Sequence, residues 1–177
     1  LLLQQLQEFH KISDYNNYLI YIFAKLENNS TNANAVRISA GLLLKNNIQE
    51  YYSKFKPDVK LFIQQQVLVC LGDQSDSIRT TAGAIIAAMI RKGSLSHWKG
   101  IFESFIKALT DNVTDVKLID GILNSLKMIC EDCAYEICDS KDQNGSEEYE
   151  PVLRILVPTL IQYLSHPVPQ FRCRALC

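Results

Sequence analysis

The chain has 177 residues, of which 47% are hydrophobic and 21% are charged, and its formal net charge is −1. This near-neutral charge argues against a protein that coats nucleic acid or anionic lipid, since such proteins carry a basic excess. The longest apolar run, over 82–90, is about half of the roughly 20 residues that span a bilayer. The first residues show no basic region or cleavage site of a signal peptide, and both ends fall inside helical patterns, so we expect a fragment of a longer chain.

Hydrophobic residues recur with a helical period along almost the whole sequence. We therefore predict nine helices, over 1–12, 15–27, 33–54, 58–72, 76–92, 96–110, 114–138, 151–165 and from 169 onward. The breaks between them are short and contain turn residues. Pro57 and Pro151 stand where helices begin, a position that tolerates the missing N–H, and Thr114 is a candidate N-cap.

A short motif recurs along the chain. The sequence VRISAG at 36–41 matches IRTTAG at 78–83, VKLIDG at 116–121 is a weaker third copy, and FRCRA at 171–175 begins a fourth. A period of about 40 residues with two helices per unit is typical of HEAT or armadillo solenoids. The predicted fold is therefore all-α, a right-handed α-solenoid (superhelix) of HEAT-type helical hairpin repeats.

One repeat array is predicted to fill the chain. Its parts are a partial helix over 1–12, repeats over 15–54, 57–92 and 94–138, an acidic loop over 139–150, and a partial repeat over 151–177. The loop is polar, has no apolar period, and is either simply solvated or a binding element. The nearly all-apolar run at 82–90 suits an inner helix held between its partner and both adjacent repeats.

In each of the first three copies of the motif, a basic residue is followed four residues later by glycine. These repeat positions are Arg37, Gly41, Arg79, Gly83, Lys117 and Gly121. Glycine inside a helix costs about 1 kcal/mol relative to alanine, so its recurrence indicates close approach of a neighbouring helix. We expect the two arginines to form a ladder with acidic or carbonyl groups of neighbouring repeats; the alternative is direct contact with a partner.

The first inner helix has a predicted core side and a predicted open side. The core side is expected to hold Val36, Ala40, Leu43, Leu44 and Ile48. The remaining polar residues Lys45, Asn46 and Gln49 should face solvent, with Asn47 at the edge. A second, weaker set on the next inner helix is Arg91 and Lys92. Asn46 and Asn47 could instead cap the backbone or pack between repeats.

Six cysteines raise the question of a metal site or disulfides. Cys130 and Cys133 have the spacing of a zinc knuckle, but they lie in a helical run without turn residues, whereas a structural zinc needs four converging ligands. We therefore predict reduced core thiols, no metal and no cofactor. The three histidines lie in different repeats and no nucleotide or protease motif is present, so the chain is not expected to be an enzyme.

Two segments stand out for their sequence, 15–19 (YNNYL) and 37–48 (RISAGLLLKNNI), and in the second an arginine precedes a Leu-Lys-Asn core. Both segments resemble the importin-β family of nuclear transport receptors. The double asparagine, together with LGD at 71–73 and KMICED at 127–132, is similar to the transportin (karyopherin-β2) branch. The acidic loop is less like the family than the remaining chain is.

The resemblance implies a HEAT receptor that shuttles through nuclear pores between cytoplasm and nucleus. The GTP form of the small GTPase Ran would bind the inner helices, and Lys45 and Asn46 fall on the family motif. Import cargo would bind the missing C-terminal half, and nucleoporins are further implied partners, whereas neither nucleic acid nor membrane insertion is expected. The alternative is a generic HEAT scaffold, such as a phosphatase or kinase regulatory subunit, which would ignore Ran.

Overall fold

The computed structural model describes residues 12, 14–27, 32–93, 98, 100–111, 114–133 and 150–176. These residues form eight α-helices: α1 Tyr15–Lys25, α2 Ala33–Tyr51, α3 Pro57–Val69, α4 Asp76–Gly93, α5 Ile101–Asp111, α6 Val116–Asp132, α7 Glu150–Leu164 and α8 Pro169–Leu176. Short 3₁₀ turns, Tyr52–Lys54 and Cys70–Gly72, follow α2 and α3. No strand occurs in this described part of the chain, so the prediction of an all-α fold is confirmed.

The helices form two layers. The inner layer runs α2, α4, α6, α8, each helix packing on the next, while in the outer layer α1 packs on α3 and α5 packs on α7. Consecutive helices thus pair as hairpins that stack side by side, which is the HEAT-type arrangement predicted from the repeat. The predicted helix 1–12 and the acidic loop 139–150 lie outside the described residues, apart from residues 12 and 150.

α4 is the most enclosed helix of the stack. Along its apolar run 82–90, every side chain is buried except the half-buried Ala84, because α2 and α6 cover it from both sides and α3 packs beneath it. This confirms the expectation that the second inner helix lies between its neighbours. α4 therefore fixes the spacing of the first and third inner helices.

Two predicted helix starts are wrong in detail. The helix predicted from 96 begins at Ile101, since Gly100 has a φ of +84°, in the left-handed region where a helix cannot continue. The residue that caps α6 is Asp115 rather than Thr114. Its Oδ1 accepts from the backbone N–H groups of Lys117 (3.1 Å) and Leu118 (3.0 Å), which satisfies donors that have no partner within the helix.

The core prediction for the first inner helix is wrong at one position. Val36 is 48% exposed, although it stands next to the repeat arginine. The buried stripe of α2 passes through Arg37, Ala40, Leu44 and Ile48 instead. Arg37 can occupy this inward position because its guanidinium forms hydrogen bonds with Phe23 and Asp73. Val36, the residue before it, therefore lies on an exposed side of the helix.

Candidate functional site

Arg37 connects the first hairpin to the second. The residue is 6% exposed. Its Nε donates to the carbonyl oxygen of Phe23 on α1 (2.8 Å), and its Nη2 donates to Oδ2 of Asp73 (2.6 Å). Asp73 in turn accepts at Oδ1 from the backbone N–H of Ser75 (2.8 Å). A buried guanidinium with these partners has its charge compensated, so Arg37 joins α1, α2 and the turn before α4.

Arg79 is the equivalent residue of the next repeat and has a larger set of partners. Its Nη1 donates to the carbonyl oxygens of Asp73 (2.9 Å) and Gln74 (3.3 Å), six and five residues earlier. Its Nη2 lies 2.9 Å from Oδ2 of Asp120 on α6 and 3.1 Å from Oδ1 of Asp76. The arginine therefore closes its own turn and also reaches the following repeat.

The fourth copy of the motif repeats the turn contact. Nη1 of Arg172 donates to the carbonyl oxygens of His166 (2.8 Å) and Pro167 (3.1 Å), again six and five residues earlier. Arg172 thus occupies the structural position of Arg79, which supports the register assigned to the fourth copy of the motif. The third copy differs, because Lys117 is exposed and its Nζ bonds to Oε1 of Gln74 in the preceding turn.

Asp120 lies at the centre of an ionic network that joins three repeats. The residue is 3% exposed. Its carboxylate forms ion pairs with Nη2 of Arg79 at 2.9 Å and with Nε of Arg174 at 2.7 Å. Nε2 of Gln170 donates to its Oδ1 at 2.8 Å. A buried carboxylate needs compensation of this kind, and sequence reasoning missed both Asp120 and Arg174. The available signal was an aspartate at the register position that holds Ala40 and Ala82.

The repeat glycines lie where neighbouring groups leave no space for a side chain. A Cβ on Gly41 would stand 2.7 Å from Cδ2 of Phe23, and one on Gly83 would stand 2.9 Å from Oγ of Ser125. For Gly121 the obstacle is backbone, since the carbonyl carbon of Leu71 would lie at 2.9 Å. The three glycines thus allow close packing, although each meets a different neighbour.

The residues predicted to face solvent on α2 are not all exposed. Asn46 and Gln49 are exposed and Lys45 is half-buried. Asn47 is 5% exposed rather than at the edge, because its Nδ2 donates to Oδ1 of Asn16 on α1 (2.9 Å). Asn47 therefore packs between helices, and of the four residues predicted for the open side only Lys45, Asn46 and Gln49 remain as candidates.

Arg91 and Lys92 lie in the last turn of α4 and are exposed. Both come directly after the buried run of that helix, so they lie at the carboxyl-terminal edge of the inner layer. The structure therefore offers two polar surfaces among the sequence-predicted residues, one on α2 and one at the end of α4.

The thiols are only partly core residues. Cys70 and Cys133 are buried, but Cys130 and Cys173 are exposed, which corrects the expectation that the cysteines occupy core positions. Exposure therefore depends on the side of the helix rather than on the distance along it, since Cys133, three residues after Cys130, is buried with its Sγ 3.5 Å from the carbonyl oxygen of Ala87 on α4. Burial raises the pKa of the Cys70 thiol to about 12. Among the described residues, no group of three or more His, Cys, Asp or Glu side chains is arranged to hold a metal ion.

Comparison with known proteins agrees with this architecture. Residues 3–73 match the importin-beta N-terminal domain. The chain is 35% identical over 173 residues to a transportin of Dictyostelium discoideum and 32% identical over 173 residues to human transportin-1. It is 28% identical over 176 residues to the importin subunit beta-2 of Schizosaccharomyces pombe. Each match covers 98% of the chain.

The chain accordingly belongs to the importin-β family. Within that family, its sequence is similar throughout to the N-terminal region of transportins. The chain spans 17% of the length of the Dictyostelium relative and 18% of the human one. None of the described helices combines the length and the apolar composition that a membrane span requires.

Proposed function

We propose that the chain is the N-terminal part of a transportin-like nuclear import receptor, and that its inner helices bind the GTP form of Ran. The observation that carries this proposal is the match of residues 3–73 to the importin-beta N-terminal domain, which includes the exposed residues Asn46 and Gln49 on α2. Lys45 beside them adds a positive charge. Donor and acceptor groups of this kind suit the polar part of a protein interface that must release its partner.

The two surfaces do not have equal support. Lys45, Asn46 and Gln49 lie within the matched domain, whereas Arg91 and Lys92 lie beyond its end at residue 73. Asn47 makes an internal hydrogen bond to Asn16 and is not proposed as a contact. We therefore place the main Ran contact on α2, with the end of α4 as a secondary contact.

The remaining parts of the proposal concern the longer protein. Import cargo would bind outside this chain, nucleoporins would be met during passage through the pore, and the receptor would shuttle between cytoplasm and nucleus. The chain would act by binding rather than by catalysis. We favour a transport receptor over a generic HEAT scaffold, because the relatives that match nearly the whole chain are named transportins.

The test is the double variant Lys45→Glu with Asn46→Ala in the full-length protein. We expect GTP-loaded Ran to bind at least about tenfold more weakly, which corresponds to about 1.4 kcal/mol, while circular dichroism shows an unchanged fold. Lys107→Glu, a charge reversal on the outer helix α5, is the matched control and should leave the affinity for Ran within about twofold. Unchanged Ran binding in the folded double variant would remove these residues from the site.

A further inference from the structure

The open side of α2 has an apolar first half and a polar second half. Ala35, Ile38 and Leu42 follow one another at spacings of three and four residues, so they lie on one side of the helix on successive turns. Ala35 is exposed, Ile38 is half-buried and Leu42 is 44% exposed. Asn46 and Gln49 continue the same side, four and seven residues after Leu42. Leu42 therefore joins the apolar half to the polar half.

The neighbouring inner helix α4 carries small side chains at the equivalent positions. Thr80 and Ala84 stand 42 residues after Ile38 and Leu42, which is the interval between the first two repeat arginines. Both are half-buried, and both are shorter than their counterparts on α2. The apolar half of α2 thus stands beside a lower part of the inner layer.

The seam between α2 and α4 runs beside Leu42. Gly41, the residue before it, lies so close to α4 that an added Cβ would stand 2.7 Å from Cγ2 of Thr81. Thr80, the neighbour of Thr81, is held from the other side by Asn124 of α6, whose Nδ2 donates to its Oγ1 at 3.4 Å. The short side chains next to the seam leave one flank of Leu42 open to an apolar group of a partner.

An exposed leucine by itself needs no explanation in a folded protein. Leu61 on the outer helix α3 is 54% exposed and stands between the exposed polar residues Asp58 and Gln65, three residues before and four after it. Leu42 differs because it continues an apolar row from Ile38 and lies on the inner layer. Leu61 is therefore a suitable reference for Leu42.

We propose that Leu42 is the apolar centre of the contact with Ran, an inference that rests on the function proposed above. The occupant is the same partner, because Leu42 and the polar residues assigned to that contact form one continuous side of α2. A protein interface has an apolar core and a polar rim. Leu42 supplies the core, against which an apolar side chain of Ran packs, and the polar half of α2 supplies the rim.

The same register joins the two surfaces described on α2 and α4. Arg91 stands 42 residues after Gln49, and both residues are exposed. Since α2 packs on α4, the polar rim continues from Gln49 to Arg91 along the carboxyl-terminal edge of the inner layer. The two surfaces then belong to one contact, with Leu42 on its amino-terminal side.

Three variants test the role of Leu42. Leu42→Ala shortens an exposed side chain, so the fold should be retained. Leu61→Ala is the matched control, since it makes the same change at an exposed leucine of the outer layer. Leu42→Met keeps an apolar side chain of similar volume, so it should preserve the contact that Leu42→Ala removes.

The measurement is isothermal titration of GTP-loaded Ran with the full-length protein at low and at high salt. We expect Leu42→Ala to weaken binding at least about fivefold, whereas Leu42→Met and Leu61→Ala stay within about twofold of the wild type. The loss in Leu42→Ala should be the same at both salt concentrations. The loss in Lys45→Glu with Asn46→Ala should shrink at high salt, because salt screens exposed charges.

Failure of the inference can be told apart from failure of the proposed function. Unchanged binding in Leu42→Ala, an equal loss in Leu61→Ala, or an equal loss in Leu42→Met would overturn the inference. The double variant at positions 45 and 46, titrated alongside, shows whether the proposed contact on α2 stands without it. Absence of binding by the wild-type protein would overturn both.

Discussion

Asp120→Asn is expected to destabilise the chain far more than Asp76→Asn does. Both aspartates contact the guanidinium groups of Arg79 and Arg174, at 2.9 and 2.7 Å for Asp120 and at 3.1 and 3.7 Å for Asp76. The side chain of Asp120 is 4% exposed and that of Asp76 is 65% exposed. The pair of variants therefore compares one ionic arrangement in a buried and in a solvated setting.

The expected magnitudes follow from burial. Removing one partner of a buried ion pair costs about 3–5 kcal/mol, because the remaining charge is left uncompensated. Arg79 would keep the carbonyl oxygen of Asp73 and the carboxylate of Asp76, so we expect the lower end, about 3 kcal/mol. An exposed pair contributes about 0–1 kcal/mol. In a chain of this size 1 kcal/mol corresponds to about 2–4 °C, so Asp120→Asn should lower the melting temperature by about 6–12 °C and Asp76→Asn by less than about 4 °C.

Thermal unfolding followed by circular dichroism measures both shifts under the same conditions. If the buried network stabilises the fold, the melting temperature should fall clearly more for Asp120→Asn than for Asp76→Asn. Shifts of about 2 °C or less for both variants would refute the reasoning, because they would mean that desolvation cancels the attraction within the network.

Two further predictions concern packing and thiol chemistry. Gly121→Ala should lower the free energy of unfolding by about 2 kcal/mol, since the added methyl group would clash with the backbone of Leu71. Gly72→Ala should change it by less than about 0.5 kcal/mol, because its added Cβ would lie no closer than 3.9 Å to a neighbour. Equal urea midpoints for the two variants would contradict this. Cys70 should resist alkylation at pH 8 because its pKa is raised to about 12, while the exposed Cys173 should react quickly; peptide mass mapping that finds Cys70 modified as fast as Cys173 would be the opposite result.

The fold could be predicted from the sequence because the signals were local and repeated. Helical periodicity and Pro57 located the hairpins, and the recurring motif gave the register of Arg37 and Arg79. The start of α5 was missed because nothing in the sequence requires Gly100 to adopt a positive φ, whereas the conformation of that one residue decides where the helix can begin.

The site was less predictable because its contacts are long-range. Asp120 lies 41 residues from Arg79 and 54 from Arg174, and only its register, shared with the buried Ala40 and Ala82, indicated that it faces inward. Asn47 and Val36 were misplaced for a related reason. A helical wheel assigns faces by polarity alone. Asn47 and Arg37 nevertheless lie on the inward face because each forms hydrogen bonds there, Asn47 with Asn16 and Arg37 with Phe23 and Asp73, and Val36 is therefore exposed.

We propose that the inner helices bind Ran in a nucleotide-dependent way, and isothermal titration of the full-length protein with Ran in its two nucleotide states measures this dependence. We expect GTP-loaded Ran to bind at least about tenfold more tightly than GDP-loaded Ran, a difference of about 1.4 kcal/mol. We also expect Lys45→Glu with Asn46→Ala to reduce this preference. Equal affinity for the two forms, or no binding of either, would contradict it.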